Sequence, residues 1–75
     1  MQRTIIFQQE FGLDGKTYLG KIEGTYEHLY VTIYNGENKK VSEKPYIGLF
    51  HEGAFIAGIE EALDEFVTNK NKSVL

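Results

Sequence analysis

The clearest pattern in the chain is a strict alternation of two sets of residues between positions 28 and 35. One set is aliphatic and consists of Leu29, Val31 and Ile33. The other set is aromatic or polar and consists of Tyr30, Thr32 and Tyr34. Because successive side chains of a strand point to opposite faces of a sheet, this pattern predicts a strand with one face turned to a core.

Three further stretches are typical of strands: residues 3–11, 17–23 and 46–50. Asp14-Gly15 separates the first two, and this dipeptide is typical of a tight hairpin turn. Turns are also predicted at Gly24-Thr25 and Asn35-Gly36, and a polar loop is predicted over 38–44. The second strand has an ambiguous parity, since either Tyr18 or Leu19 could join Ile22 on the core side. In the last strand, Ile47 and Leu49 are expected to face inward.

A helix is predicted from Gly53 to about Thr68. Five apolar residues fall on one stripe at helical spacing: Phe55, Ile59, Ala62, Leu63 and Phe66. Four acidic residues line the opposite face: Glu60, Glu61, Asp64 and Glu65. An isolated amphipathic helix is not stable alone, so the stripe must pack on a face of the sheet.

The order of elements is therefore β-β-β-β-α, an α+β class with a four-stranded antiparallel sheet and one C-terminal helix. The expected division is one domain over residues 1–68 and a C-terminal tail over 69–75. The strand residues Leu29, Val31, Ile33, Ile47 and Leu49 form the expected inner face. The outer face then carries Tyr30, Thr32, Tyr34, Tyr46 and Phe50, with Tyr18 as a further candidate.

Composition and charge exclude some classes of protein but do not identify the function. The chain has 75 residues, no cysteine and a net charge of −3. All the net negative charge lies in residues 51–75, because the acidic and basic residues of 1–50 balance. No run is long enough to span a membrane, and the lack of cysteine suits a reducing cytoplasm. We therefore expect a cytoplasmic protein without disulfides or thiolate-bound zinc.

Few residues in the chain have side chains that are typical of catalytic or metal-binding sites. His28 and His51 are the only histidines, and neither has a second histidine at metal-binding spacing. Ser42 and Ser73 lie in the predicted loop and tail, and no glycine pattern matches a phosphate loop. The sequence therefore predicts a binding protein rather than an enzyme, with no cofactor and no metal site.

Two surfaces are candidates for binding. The aromatic outer face offers platforms on which unpaired bases stack, with lysines nearby to meet phosphates. The candidate nucleic-acid-binding residues are Tyr30, Thr32, Tyr34, Tyr46, Phe50, Lys16, Lys21, Lys39, Lys40 and Lys44. The stronger expectation for the same face is burial in a homodimer or by ordinary packing. The acidic helix residues form a solvated face or, alternatively, a protein-docking or DNA-mimicking surface; they are Glu60, Glu61, Asp64 and Glu65.

Short segments over residues 16–66 resemble the PUR repeat proteins and the single-stranded-DNA-binding transcriptional-coactivator family. They are Lys16-Thr17-Tyr18, Leu29-Tyr30-Val31-Thr32-Ile33, Ile47-Gly48-Leu49-Phe50 and Glu61-Ala62-Leu63-Asp64-Glu65. The junction His51-Glu52-Gly53-Ala54-Phe55 is one residue longer than that pattern, and Gly53-Ala54 replaces its polar capping stretch. The resemblance implies a homodimer that binds single-stranded DNA or RNA on a curved sheet. It would place Tyr30, Thr32 and Tyr34 on a central strand.

Two functions follow as hypotheses. The first is a small dimeric protein that binds single-stranded nucleic acid on the aromatic face. The second is an acidic protein-binding module without a nucleic-acid role, by analogy with small inhibitors through which phages block host or defence proteins.

Overall fold

The computed structural model describes residues 3–25 and 27–72, with the side chains of 3–25 and 27–70. Four strands precede one helix: β1 Thr4–Leu13, β2 Lys16–Gly24, β3 Leu29–Tyr34, β4 Lys40–Pro45 and α1 Glu52–Lys72. The strands form one antiparallel sheet in the order β1-β2-β3-β4, so each strand pairs with its neighbour in sequence. The predicted α+β class and β-β-β-β-α order are confirmed.

Local sequence explains two of the three hairpin connections in this sheet, the β1–β2 and β3–β4 turns. Asp14 and Gly15 both have positive φ, 53° and 76°, as a type I′ turn requires between right-handed twisted strands. In the β3–β4 turn, the Asn35 side chain accepts hydrogen bonds from the backbone N–H groups of Glu37 and Lys39. Asn38 takes the positive φ of 63° at this turn. Both turns lie where the sequence predicts them.

The core lies between the sheet and the helix. It consists of Tyr18, Ile22, Val31, Ile33, Phe55, Ile59, Ala62 and Leu63. Gly20 lies directly beneath the helix, where a Cβ atom would collide with the side chain of Ile59. The helix can therefore pack closely on β2 because position 20 has no side chain. The predicted inward orientation of Val31 and Ile33 is confirmed, and Leu29 packs at the margin of the core.

The fourth strand is not where the sequence predicts it. It is Lys40–Pro45, in the predicted polar loop, and residues 46–50 contain no strand. Ile47 and Leu49 were expected to face the core, but they are 94% and 69% exposed. Because β4 is an edge strand joined by backbone hydrogen bonds to β3, it needs no apolar alternation, and edge strands often carry lysine and proline.

Three aromatic residues that the sequence assigns to the outer face lie on the helix side instead. Tyr18 is buried beside Phe66 on the helix side, which resolves the parity of β2. Tyr46 and Phe50 both contact Phe55 of the helix, with ring centroids 5.6 and 5.2 Å away.

The helix begins one residue before the predicted start and continues past Thr68 to Lys72. Residues 73–75 of the predicted tail lie outside the described residues. Among those described, no helix is both long and apolar enough to cross a membrane.

Candidate functional site

The sheet face opposite the helix has a hydrogen-bonded carboxylate at its centre. Glu23 on β2 and Thr32 on β3 are 8% and 0% exposed. The Thr32 hydroxyl donates a hydrogen bond of 2.5 Å to Glu23 Oε2, and the Tyr34 hydroxyl lies 3.4 Å from the same oxygen. Thr32 thus lies on the outer face, as the alternation predicts, but it is sealed from solvent by its neighbours.

Two cations lie over the tyrosine rings of this face. The Arg3 guanidinium carbon is 4.1 Å from the ring centroid of Tyr30, and Lys21 Nζ is 4.4 Å from that of Tyr34. Such positions allow attraction between a cation and an aromatic face. We call Arg3, Lys21, Tyr30, Thr32 and Tyr34, together with Glu23, the tyrosine face.

Glu43 of β4 neutralises much of the positive charge at the rim of the tyrosine face. Arg3 donates two hydrogen bonds to the Glu43 carboxylate, of 2.8 and 3.2 Å, and Lys40 donates a third of 2.8 Å. These hydrogen bonds, first from Arg3 and then from Lys40, lower the pKa of Glu43 to about 2. The same contacts raise the pKa of Arg3 and of Lys40. Both cations therefore already have an anionic partner.

The ten predicted nucleic-acid-binding residues do not form one surface. The outer side of the sheet carries five of them: Lys21, Tyr30, Thr32, Tyr34 and Lys40. Lys16 and Lys39 are exposed beside the two hairpin turns at one end of the sheet. Lys44 points to the helix side and forms an ion pair of 3.0 Å with Glu65, and Tyr46 and Phe50 also lie on that side.

The segment between β4 and the helix is a compact loop held by its own hydrogen bonds. The Tyr46 backbone N–H donates to the Leu29 carbonyl, and the Tyr46 hydroxyl donates to the Leu49 carbonyl at 2.5 Å. Its ring packs against Gly58, where a Cβ would lie only 3.0 Å away. At the end of the loop, His51 Nδ1 accepts a hydrogen bond of 3.1 Å from the Ala54 N–H and caps the helix.

This loop displays three large apolar side chains to solvent, which we call the apolar knob: Ile47, Leu49 and Phe50. Their exposed fractions are 94%, 69% and 69%. Ile5 and Ile6 on β1 are the other exposed large apolar residues among those described. Ile6 and Phe50 line one shallow depression together with Leu29, so the apolar surface extends from the knob towards the start of β1.

Carboxylates surround the apolar knob. Glu27 lines the depressions beside both Ile47 and Phe50, and Glu61 lines the one beside Ile47 on the helix side. Glu52 follows the knob at the start of the helix. Within the described part of the chain, none of these three carboxylates takes part in an ion pair. Lys44 lines the same helix-side depression but is paired with Glu65, so the rim of the apolar knob carries net negative charge.

The acidic helix face is solvent-exposed, as the sequence predicts. Glu60, Glu61, Asp64 and Glu65 are all exposed, and Lys44 pairs with the last of them. In residues 3–25 and 27–72, no three histidine or acidic side chains come close enough together to hold a metal ion.

No family model, no curated protein and no solved structure matches the chain.

Sequence reasoning missed the apolar knob because Ile47 and Leu49 alternate as a strand does. Two local signals in the sequence indicate that residues 46–50 are not a regular strand. Pro45 cannot donate a ladder hydrogen bond, and Gly48 interrupts the run with a residue that is unfavourable in strands. The sequence shows of His51 only that it lacks a second histidine at metal-binding spacing, and its role as a helix cap appears only once the helix start is known.

Proposed function

We propose that this protein is a non-enzymatic protein-binding module whose apolar knob docks into an apolar cleft with a basic rim on another protein. The observation that carries this proposal is the exposure of three large apolar side chains within four residues of one loop. Exposed apolar groups that lie together commonly mark interaction sites, whereas single ones are ordinary.

The rigidity of the loop supports docking without a large ordering cost. Tyr46 fixes the loop through its hydroxyl, its backbone N–H and its ring contact with Phe55. A loop backbone that is already held in place loses less conformational freedom on binding than a mobile one. Ile47 and Leu49 are thus presented on a fixed backbone, as suits interface anchors.

The acidic rim specifies the chemistry of the partner. Glu27, Glu52 and Glu61 carry negative charge next to the knob, and the whole chain has a net charge of −3. Complementary charge around an apolar centre accelerates association and selects the partner. The proposed partner surface is therefore an apolar cleft bordered by lysine or arginine. An inhibitor of a host or defence protein is one kind of module that works in this way.

The test combines site-specific cross-linking with binding measurements on purified components. A photo-reactive phenylalanine analogue at Leu49 would capture the partner from nuclease-treated lysate, with the same analogue at Glu37, in the β3–β4 turn, as a control. The affinity of the purified partner would then be measured for the Ile47→Asp/Leu49→Asp variant. Loss of two anchors is expected to weaken binding by roughly 100-fold or more.

The matched control is Thr17→Asp/Thr68→Asp, which adds the same charge at two other exposed positions. This variant should bind the partner as the wild type does, and association of the wild type should slow as salt is added. Equal affinity of the knob variant and the wild type would refute the proposal, as would the same partners being captured from positions 49 and 37.

A second candidate function is binding of single-stranded nucleic acid on the tyrosine face. The observation in its favour is that Tyr30 and Tyr34 are half-exposed on one sheet face, each beside a cation. A phosphate would compete with Glu43 for Arg3, and a base could stack on either ring.

An oligonucleotide titration at low and high salt tests this second function. Tyr30→Ala/Tyr34→Ala should weaken binding by about tenfold or more, because base stacking contributes about 1–3 kcal/mol per base. Phe50→Ala, on the opposite side of the sheet, serves as the aromatic control and should leave the oligonucleotide affinity unchanged. No binding at low salt, or equal loss in both variants, would eliminate this function.

A further inference from the structure

The two edges of the sheet differ in how well they are protected from pairing with another strand. β4 has six residues and carries Lys40, Lys44 and Pro45. Lysine and proline on an edge strand discourage pairing with another strand. β1 has ten residues, no lysine and no proline, and Glu10 is its only charged residue. Its one irregularity is a bulge between Ile5 and Phe7, so the stretch from Phe7 to Leu13 is a regular open edge.

The register with β2 shows which backbone groups lie along this open edge. Leu13 and Lys16 flank the two-residue turn and form its closing pair. In such hairpins the closing pair is hydrogen-bonded, and bonded and non-bonded pairs alternate from there. Phe11 and Gln9 therefore bond to β2, whereas Gln8, Glu10 and Gly12 direct their N–H and C=O groups away from the sheet.

We propose that a second copy of this chain occupies the edge, with the two β1 strands antiparallel about a twofold axis at Gln9. The two sheets then become one continuous eight-stranded sheet. This interface is independent of the apolar knob and of the proposed docking function. It uses the same residues of both copies, as a twofold interface requires.

Side-chain chemistry favours this register over the one with its axis at Glu10. With the axis at Gln9, Gln8 lies opposite the partner's Glu10, so an amide donor meets a carboxylate. An axis at Glu10 would instead oppose two carboxylates, which is destabilising. On the helix side, Phe7 lies opposite the partner's Phe11. Both phenylalanines are half-buried at the edge of the core, and the second copy would cover their remaining exposed surface.

The register predicts a charge pattern in which position 8 responds to the charge at position 10, whereas an axis at Glu10 would place position 8 opposite Gly12. Gln8→Glu places a carboxylate opposite the partner's Glu10 at both symmetric positions. Gln8→Lys/Glu10→Lys places two lysines opposite each other in the same way. Each variant alone should dimerise roughly tenfold more weakly than the wild type, and Gln8→Lys alone should dimerise at least as tightly as the wild type.

An equimolar mixture of the Gln8→Glu and Gln8→Lys/Glu10→Lys chains is the decisive experiment. In the mixed dimer, position 8 of each chain meets the opposite charge at position 10 of the other. Sedimentation velocity over a wide concentration range should therefore show a heterodimer from two weakly associating chains. Thr68→Glu adds one negative charge on the exposed helix surface and should dimerise as the wild type does.

Three outcomes would overturn the proposal: a wild type that is monomeric at every concentration, a dimer insensitive to charge at positions 8 and 10, or a mixture without heterodimer. Circular dichroism of each variant verifies folding, which is expected because Gln8 and Glu10 are exposed. If the double-lysine chain fails to fold, the opposite effects of Gln8→Glu and Gln8→Lys still test the register.

Discussion

At the residue scale, the outer face of the sheet is organised by carboxylates rather than by aromatic rings. Glu23 accepts the Thr32 hydrogen bond near the centre of the face, and Glu43 binds Arg3 and Lys40 at its rim. The alternation in β3 predicts which side chains lie on this face, but it carries no information about their partners. The partners come from β2, from β4 and from the residue that precedes β1.

The Thr32–Glu23 pair is expected to stabilise the sheet through its hydrogen bond. Thr32→Val should reduce the free energy of unfolding by about 1–3 kcal/mol, because it leaves a buried carboxylate without its closest donor. Glu23→Gln keeps an oxygen that accepts from Thr32 and should cost less. Urea denaturation compares both variants with the wild type, and a Thr32→Val variant as stable as the wild type would show that the hydrogen bond contributes nothing.

Glu43 should make stability depend on pH in the acidic range. Its pKa is about 2 in the folded protein and about 4.5 when unpaired. Because the folded pKa is the lower one, the stabilisation is complete above pH 4.5 and is lost as the pH falls towards 2. Glu43→Gln should therefore be less stable than the wild type at pH 7, and the gap should close near pH 2.

Urea midpoints measured from pH 7 to pH 2 test this dependence. Glu37→Gln is the matched control, since the Glu37 carboxylate lies in the β3–β4 turn and forms no ion pair with Arg3 or Lys40. A gap between wild type and Glu43→Gln that is constant over this range would contradict the interpretation.

At the scale of elements, the start of the helix depends on a side chain that is an unusual cap. His51 Nδ1 accepts from the Ala54 N–H, and the His51 carbonyl accepts from the Phe55 N–H at 3.0 Å. The usual capping residues are serine, threonine, aspartate and asparagine, so the sequence gives no standard signal at this position. The same residue ends the loop that carries the apolar knob.

Removing the cap should destabilise the protein by a measurable amount. His51→Ala is expected to lower the free energy of unfolding by about 0.5–2 kcal/mol, whereas His51→Asp should retain or improve the capping. Thermal unfolding followed by circular dichroism at neutral pH compares the three chains. Equal melting temperatures of His51→Ala and His51→Asp would show that the side chain does not act as a cap.

Whether the sequence predicts an element depends on what that element packs against. The helix and β3 were predicted because both bury an apolar side against the core, and burial imposes a period on the sequence. β4 was missed because an edge strand with lysines and a proline has no apolar period. Ile47 and Leu49 alternate with their neighbours as strand residues do, but they form no strand. The position beside β3 is already taken by β4.

At the scale of the whole molecule, the apolar knob is surface that the fold itself does not use. Ile47→Asp/Leu49→Asp should therefore change the free energy of unfolding by no more than about 0.5 kcal/mol. Ile33→Ala, in the fully buried core, should cost about 2–5 kcal/mol. A large loss of stability in the knob variant would mean that these side chains support the fold.

The sequence by itself determined the α+β class, the order of elements, the hairpin at Asp14-Gly15 and the stripe of the helix. These features are local, because they depend on turn geometry or on a period that one element carries alone. Only the tertiary structure decided where β4 lies, that Tyr18 and Tyr46 join the helix side, and that Ile47, Leu49 and Phe50 face solvent. Those outcomes depend on backbone pairing with β3 and on the packing of Tyr46 against Phe55 and Gly58, which are contacts between different elements and not a pattern carried by one of them.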